Sequence, residues 1–338
     1  MTAQTLEAPK TSSPGAIKQF AARHASVLPT LAAIVILVIV LIGAQVEFGN
    51  FLTARNMSAL LLDNAYLMVL AVGMTFVIVT GGIDLSVGSV MAFTGILGSS
   101  MLASGTPVWI VIPAMLGGGA AIGTLIGVLV QYFNVQPFIA SLAGLFLGRG
   151  LAYVVSLSSV RVENEGILWL QTTRFYLGDW YITPTGIIAL LVVAIGAITM
   201  AWTRFGRTVY AIGGSEQSAR LMGLSVARTK VAVYVISGLC GGLAGLLLTA
   251  YSGAGYPRNG IGTELDVIAC VVIGGTLLTG GRGYVLGSMI GVFVFGTIKT
   301  IISFMGAEQS WTHIIVGALL LLFIVVQRAI VARSDRNT

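Results

Sequence analysis

WTRFGRTVYAIGGSEQSARLMGLSVARTK, residues 202–230, separates two long apolar runs, ALLVVAIGAITMA before it and VAVYVISGLCGGLAGLLLTA after it. Five of the chain's 18 basic residues lie inside it, Arg204, Arg207, Arg220, Arg228 and Lys230, with Glu216 as its only acid. Lys and Arg resist translocation, so a basic loop between two spans is expected on the cytoplasmic side of a membrane. Ser215 can cap a short helix starting at Glu216, where an acid suits the positive end of the helix dipole. Gly223 is a natural stop. The helix so defined carries small residues, Ser218 and Ala219, and an apolar edge, Leu221, Met222 and Leu224. It is too short to be stable alone in water, so it is either a solvated linker or packed against another surface.

Composition excludes a soluble domain. Of 338 residues, 56% are hydrophobic and 9% charged, with a mean hydropathy of +0.96, where soluble domains carry about 25% charged residues. The net charge of +6 is not a nucleic-acid signal, because the basic residues sit in loops and tails and none occurs between Arg55 and Arg149. Glycine is abundant, 44 residues, nearly twice the usual share of about 7%. Gly119, Gly123 and Gly127, Gly144 and Gly148, Gly241 and Gly245, and Gly283, Gly287 and Gly291 recur at four-residue spacing within apolar runs. Such stripes let helices approach closely in lipid. Cys240 and Cys270 lie in apolar runs and make no metal-ligand spacing or disulfide framework.

Apolar runs of roughly twenty residues give expected spans near 27–46, 58–79, 85–104, 107–130, 136–156, 183–201, 231–251, 264–279, 284–303 and 312–330. The expected fold class is all-α, a polytopic integral membrane protein of about ten transmembrane helices. Its expected parts are a cytoplasmic N-terminal tail over 1–26, a membrane domain over 27–330 and a cytoplasmic C-terminal tail over 331–338. Even parity of crossings puts both termini and the basic loop on the same side, in agreement with Lys10, Lys18, Arg23, Arg328, Arg333 and Arg336. The Gly-rich runs near 81–89 and 274–283 are places where a broken or re-entrant helix would alter local topology. Thr80-Gly81-Gly82 followed by Val87-Gly88-Ser89 echoes Thr279-Gly280-Gly281 followed by Leu286-Gly287-Ser288, and transporters are often built from internal repeats. Residues 157–182 form the longest loop expected outside; their aromatics serve either as interfacial anchors or as a docking surface.

Ionisable groups within a membrane are costly and are functional candidates by default. Asp63 and Asn64 fall about one turn inside the second expected span. Asp84 follows two glycines, so Asp84 or Ser86 can cap the helix that restarts there; Asp84 is read equally as cap or pathway residue. Glu264 and Asp266 open the eighth expected span, where acids also favour a helix N-terminus. No catalytic apparatus is visible: the histidines are only His24 and His313, and no G-x-S-G, H-E-x-x-H or G-x-x-x-x-G-K-[ST] occurs. If ATP drives this protein, another chain binds it. Metal ligands are likewise not expected.

Four blocks then carry a resemblance: GGIDLSVGSVMAF (81–93), QPF (136–138), VYAIGGSEQSARLMGLSV (209–226) and ELDVIACVVIGGTLLTGGRG (264–283). Together, from about residue 58 to 328, they resemble the permease subunits of ribose-type sugar ABC importers. Within them the chain is most similar to a permease of the galactofuranose importer, over RFGRTVYAIGGSEQSARLMG (204–223). The resemblance implies a permease in the bacterial inner membrane, paired with a second, identical or paralogous permease. It implies a cytoplasmic ATPase with two cassettes, which binds the ATP and Mg, and a periplasmic sugar-binding protein. It makes Glu216, Gln217, Ser218, Ala219, Arg220, Leu221, Met222 and Gly223 the helix that couples to the ATPase. Where such importers carry E-A-A-x-x-x-G, this chain begins with Gln217. Asp63, Asn64, Asp84, Ser86, Gln136, Glu264 and Asp266 are the candidates for the pathway or its helix breaks. Two rival readings are an ion-coupled secondary transporter using Asp63, Asp84 or Glu264, and a membrane enzyme for lipid-linked sugars using the loop with Glu163 and Glu165.

Overall fold

A computed structural model describes residues 28–308 and 310–335. The expected tail over 1–26 lies outside the described residues, as do residues 336–338. The first helix, α1 (Leu28–Phe48), is apolar along its length and largely exposed on the outside of the bundle. Then α2 (Ala54–Asp63) and α3 (Ala65–Val79) meet at a 52° bend. They are followed by α4 (Val87–Ala103), α5 (Val108–Tyr132) and α6 (Pro137–Val155). A segment with β1 (Val160–Arg161), α7 (Glu165–Thr172), β2 (Phe175–Leu177) and β3 (Trp180–Ile182) leads to α8 (Pro184–Trp202). Next come α9 (Arg204–Gly214), α10 (Glu216–Leu221) and the long α11 (Val226–Ser252). The chain ends with β4 (Ala254–Gly255), α12 (Thr263–Ile273), α13 (Val285–Phe304) and α14 (Ser310–Asp335).

The centre is α3. All of its residues except Tyr66 are buried, as expected of a helix that is apolar all round. It is enclosed by α11, α8, α13 and α12. The most extensive helix pair is α5 against α11, and glycine makes it. A Cβ added at Gly119 would overlap the Gly238 carbonyl, and one at Gly123 would overlap the Tyr234 carbonyl. The expected stripes therefore lie at contacts, with Gly241 on Val90, Gly245 on Thr94, Gly144 on Ile126 and Gly291 on the Cys270 carbonyl. Gly283 departs from its expected stripe: it precedes α13, in the turn after α12, and faces Thr276.

Six helices among the described residues are long and apolar enough to cross a membrane, or seven if the bent pair α2–α3 is one span. Two of the remaining expected spans fall on shorter helices, and the tenth falls on the 26-residue α14. α4 has 17 residues, about 26 Å at 1.5 Å per residue. The eighth expected span, 264–279, is an 11-residue helix that stops at Gly274, whose Cα packs against the Gly287 carbonyl.

The two echoed turns touch. The Gly281 N–H donates to the Val79 carbonyl at 2.9 Å, and a Cβ at Gly280 would crowd Gly81. Thr75 and Ser288 hydroxyls bond at 2.7 Å just beside them. α9 closes over this junction, since Gly213 packs on the Val79 carbonyl and Gly281. At the opposite end of the bundle β1 pairs with β4 (Val160 with Gly255, Arg161 with Ala254), and β2 pairs with β3. The β2–β3 hairpin is anchored by the Tyr181 N–H donating to Ser58 Oγ at 3.0 Å.

The α5–α11 contact predicts a position-specific failure. Gly119→Leu should cost at least the 1–3 kcal/mol typical of overpacking, because backbone cannot yield as a side chain can. Gly117→Leu, where a Cβ meets nothing within 4 Å, should be neutral. Thermal unfolding of the two variants in detergent checks the difference.

Candidate functional site

The first candidate site is the segment between α8 and α11. Thr203 Oγ1 accepts the Gly206 N–H at 3.0 Å and starts α9, an amphipathic helix that buries Val209 and Ile212. Ser215 then ends α9 and caps α10, its Oγ accepting the Ser218 N–H at 3.2 Å. The expected cap and the expected start at Glu216 are both observed. At the other end, Leu224 N–H bonds to the Ala219 carbonyl at 3.1 Å and Gly223 N–H to the Arg220 carbonyl at 3.0 Å. This paired arrangement needs a left-handed residue after the last helical one, and Gly223 supplies it with φ +73°.

One face of α10 is fixed and the other is free. Ala219 is fully buried, in a small cluster with Ile212 and Val226. Arg220 and Lys230 donate to the two carboxylate oxygens of Glu216, at 2.6 and 2.7 Å. Burial alone would raise the pKa of Glu216, but the hydrogen bonds and charges of Lys230 and Arg220 together outweigh it and hold it below its ordinary value of 4.5. Lys230 belongs to α11, so the ion pair ties the short helix to the longest one. Leu221 and Met222 are 83% and 66% exposed, and Gln217 and Ser218 are exposed beside them.

The second candidate site is the break between α3 and α4. Asp84 is 1% exposed. Its Oδ1 accepts the Ser86 N–H at 2.9 Å and the Ser86 Oγ–H at 2.6 Å, and its Oδ2 accepts the Ser237 Oγ–H at 2.6 Å. Asp84 thus both shapes the restart of α4 and pins it to α11. Ser86 Oγ is used by Asp84, and Ser86 itself makes no side-chain cap bond. Of the two capping candidates, the restart is held by Asp84.

The third site lies at the end opposite α10. Tyr251 and Lys299 lie within electrostatic reach of Asp63, and Lys299 within reach of Asp266 as well. Asp266 Oδ1 lies 4.0 Å from His313 Nε2. Glu264 Oε1 accepts the Gly262 N–H at 3.3 Å, while its Oε2 is buried against Gly88 with no hydrogen-bond partner among the described residues. Arg149 reinforces this corner by donating to the Pro257 and Asn259 carbonyls at 2.6 and 2.7 Å. Residue spacing gave no hint of Tyr251, Lys299 or Arg149, because their roles come from elements far apart in the chain.

The other two candidates stand apart. Asn64 occupies the α2–α3 bend, donates from Nδ2 to the Leu60 carbonyl at 2.8 Å and packs on Gly296. Gln136 is exposed at the start of α6 and makes no side-chain cap bond. No group of three or more His, Cys, Asp or Glu side chains suited to a metal ion occurs among the described residues.

Residues 56–324 match the family described as branched-chain amino acid transport system / permease component. The fructose import permease protein FruG of Bifidobacterium longum is 43% identical over 90% of this chain and 92% of its own length. The inner membrane ABC transporter permease protein YjfF of Escherichia coli is 42% identical, with the same coverage of both chains. The ribose import permease protein RbsC of Escherichia coli is 36% identical over 82% of this chain and 87% of its own.

The charge arrangement at Glu216 has a testable sign. A carboxylate with a depressed folded pKa contributes stability that is full above its unfolded value near 4.5 and is lost as pH falls through the folded value. A nitroxide on Ser218→Cys should therefore be immobile at pH 6 and gain mobility as the pH falls below the ordinary carboxylate value and through the lowered one. With Glu216→Gln added it should be mobile throughout.

Proposed function

The chain belongs to the branched-chain amino acid transport system / permease component family, and on that premise we propose that it is the membrane-spanning permease subunit of an ATP-driven ABC importer for a monosaccharide. The sugar class is carried over from the curated relatives, whose names specify fructose and ribose. The finer assignment to galactofuranose rests on the resemblance of residues 204–223. The proposed setting is the bacterial inner membrane, with ten crossings, both termini cytoplasmic and residues 157–182 external. Five basic residues against one acid in residues 202–230 support this orientation.

The single observation that carries the mechanism is α10. Its buried side and the Glu216–Lys230 ion pair bind it to α11, and its free side offers Leu221 and Met222 to a partner. On this reading the partner is a cytoplasmic ATPase with two cassettes, which holds ATP and Mg; this chain holds neither and catalyses nothing. Movement of α10 would pass through the Glu216–Lys230 pair into α11. From α11 it would reach the α4 restart through Ser237 and Asp84, and the far end through Tyr251 and Asp63. A sugar released by a periplasmic binding protein would pass between this permease and a second one. Release requires weak binding, so the pathway would use few polar groups; Asp63, Glu264 and Asp266 at the external mouth are the proposed contacts.

An alternative is an ion-coupled secondary transporter, favoured by the grouping of Asp63, Lys299, Asp266 and His313. Co-purification separates the two. Tagged protein in mild detergent should bring down an ATPase with two cassettes and a second permease. Recovery of this chain alone, with uptake intact in the same cells, would reject the importer reading. Gly223→Val should lower sugar uptake at least tenfold at an unchanged membrane level, because a β-branched residue resists the left-handed conformation by about 1–2 kcal/mol, enough to unwind a six-residue helix. Normal uptake by this variant would remove the coupling role from α10.

A further inference from the structure

A cavity of about 650 Å³ opens between the last turns of α8, the helix α9 and the turn before α13. The transport reading leaves it unused. Tyr210 in α9 donates its hydroxyl to the Gly283 carbonyl at 2.6 Å, which fixes one wall against the other. Ala197, Ala201 and Leu286 make the lining apolar, while Arg207 and Arg282 stand among the lining residues with Trp202. Both arginines are exposed, and neither pairs with a carboxylate among the described residues. Arg207 reaches only the Trp202 carbonyl, at 3.5 Å.

From this cavity an apolar stripe climbs α8. Leu191, Ile195, Ile198 and Trp202 are 56%, 63%, 48% and 75% exposed, and their spacing places them on one helix face. The eleven steps from Trp202 to Leu191 span about 16 Å at 1.5 Å per residue. That matches half of a hydrocarbon core about 30 Å thick. Two unpaired guanidiniums therefore stand at the foot of a groove one leaflet deep.

We propose that this cavity is a binding site for an anionic phospholipid of the adjoining leaflet, its phosphate held by Arg207 and Arg282 and an acyl chain laid along the α8 stripe. Arginine forks suit phosphate oxygens, and basic pockets between membrane helices take anionic headgroups. The volume falls in the usual range for small-molecule sites, roughly 300–1,000 Å³, and accommodates a headgroup phosphate with its glycerol and first methylenes. A zwitterionic lipid would bring its own cation to the two arginines and lose the advantage. The site rests on the membrane location of the chain and not on the sugar or the ATPase. Because α9 leads directly into α10, a bound lipid would brace the segment that carries the free Leu221–Met222 edge.

The test is native mass spectrometry of the full chain in mild detergent, with phosphatidylglycerol, phosphatidylcholine or inorganic phosphate added at equal concentration. The wild type should retain phosphatidylglycerol at least tenfold better than phosphatidylcholine. Arg207→Gln with Arg282→Gln should bring the two to one level. Ala201→Trp, which leaves both arginines in place and fills the cavity, should also lose the preference. Equal retention of the two lipids by the wild type, or an unchanged preference in either variant, would overturn the proposal. So would displacement of phosphatidylglycerol by equimolar phosphate, which would mean a free-anion site. Efficient disulfide formation between two copies through Ile195→Cys would show that another permease covers this face and would overturn it as well.

Discussion

Backbone contact between α5 and α11 is the constraint on which the rest depends. In lipid there is no hydrophobic gain from bringing two apolar helices together, so close packing must supply the attraction. Gly119 and Gly123 on one helix, with Gly238 on the other, let carbonyls and Cα atoms meet directly. With α11 held in this way, its other faces are free to receive α3 and α4. Ser237 then stands where Asp84 needs a donor. A looser α5–α11 contact would leave a buried carboxylate short of one of its three hydrogen bonds, a loss of about 1–3 kcal/mol.

The same helix joins three places that the sequence treats separately. Near its start Lys230 holds Glu216, at its middle Ser237 holds Asp84, and near its end Tyr251 stands within electrostatic reach of Asp63. These bonds differ in kind. The first is a partly exposed ion pair, with side-chain exposures of 18% and 35%, and can be broken and remade at modest cost. The second is fully buried and acts as a fixed joint. An element that is stiff in the membrane and adjustable at its surface end is suited to transmit a displacement, which is the role the importer reading gives it. Both carboxylate oxygens of Asp84 are engaged within the protein, which is the geometry expected of its structural reading.

Legibility in the sequence followed the range of the interactions. Ser215, Glu216 and Gly223 were readable because capping and stop signals act within a few residues. Glycine stripes were readable because their period is that of a helix. In contrast α9 carries no local helix signal: RFGRTVYAIGG contains three glycines and two arginines, and the helix packs over Val79 and Gly281. The bend at Asn64 was invisible, because the feature that permits it is Gly296 on another helix. β1 and β4 are too short to signal themselves and pair across more than ninety residues. Gln136 entered the candidates through a motif and turned out exposed, without a side-chain cap bond.

The central claim is that the energy for transport arrives through α10 and not through the acids at the opposite end. The most direct measurement is uptake of a labelled monosaccharide into proteoliposomes made with the co-purified assembly and its sugar-binding protein. Nucleotide and ion gradients would be varied separately. The account predicts accumulation that requires ATP on the α10 side and is indifferent to an uncoupler. Accumulation driven by a proton or sodium gradient without nucleotide, and abolished by the uncoupler, would contradict it.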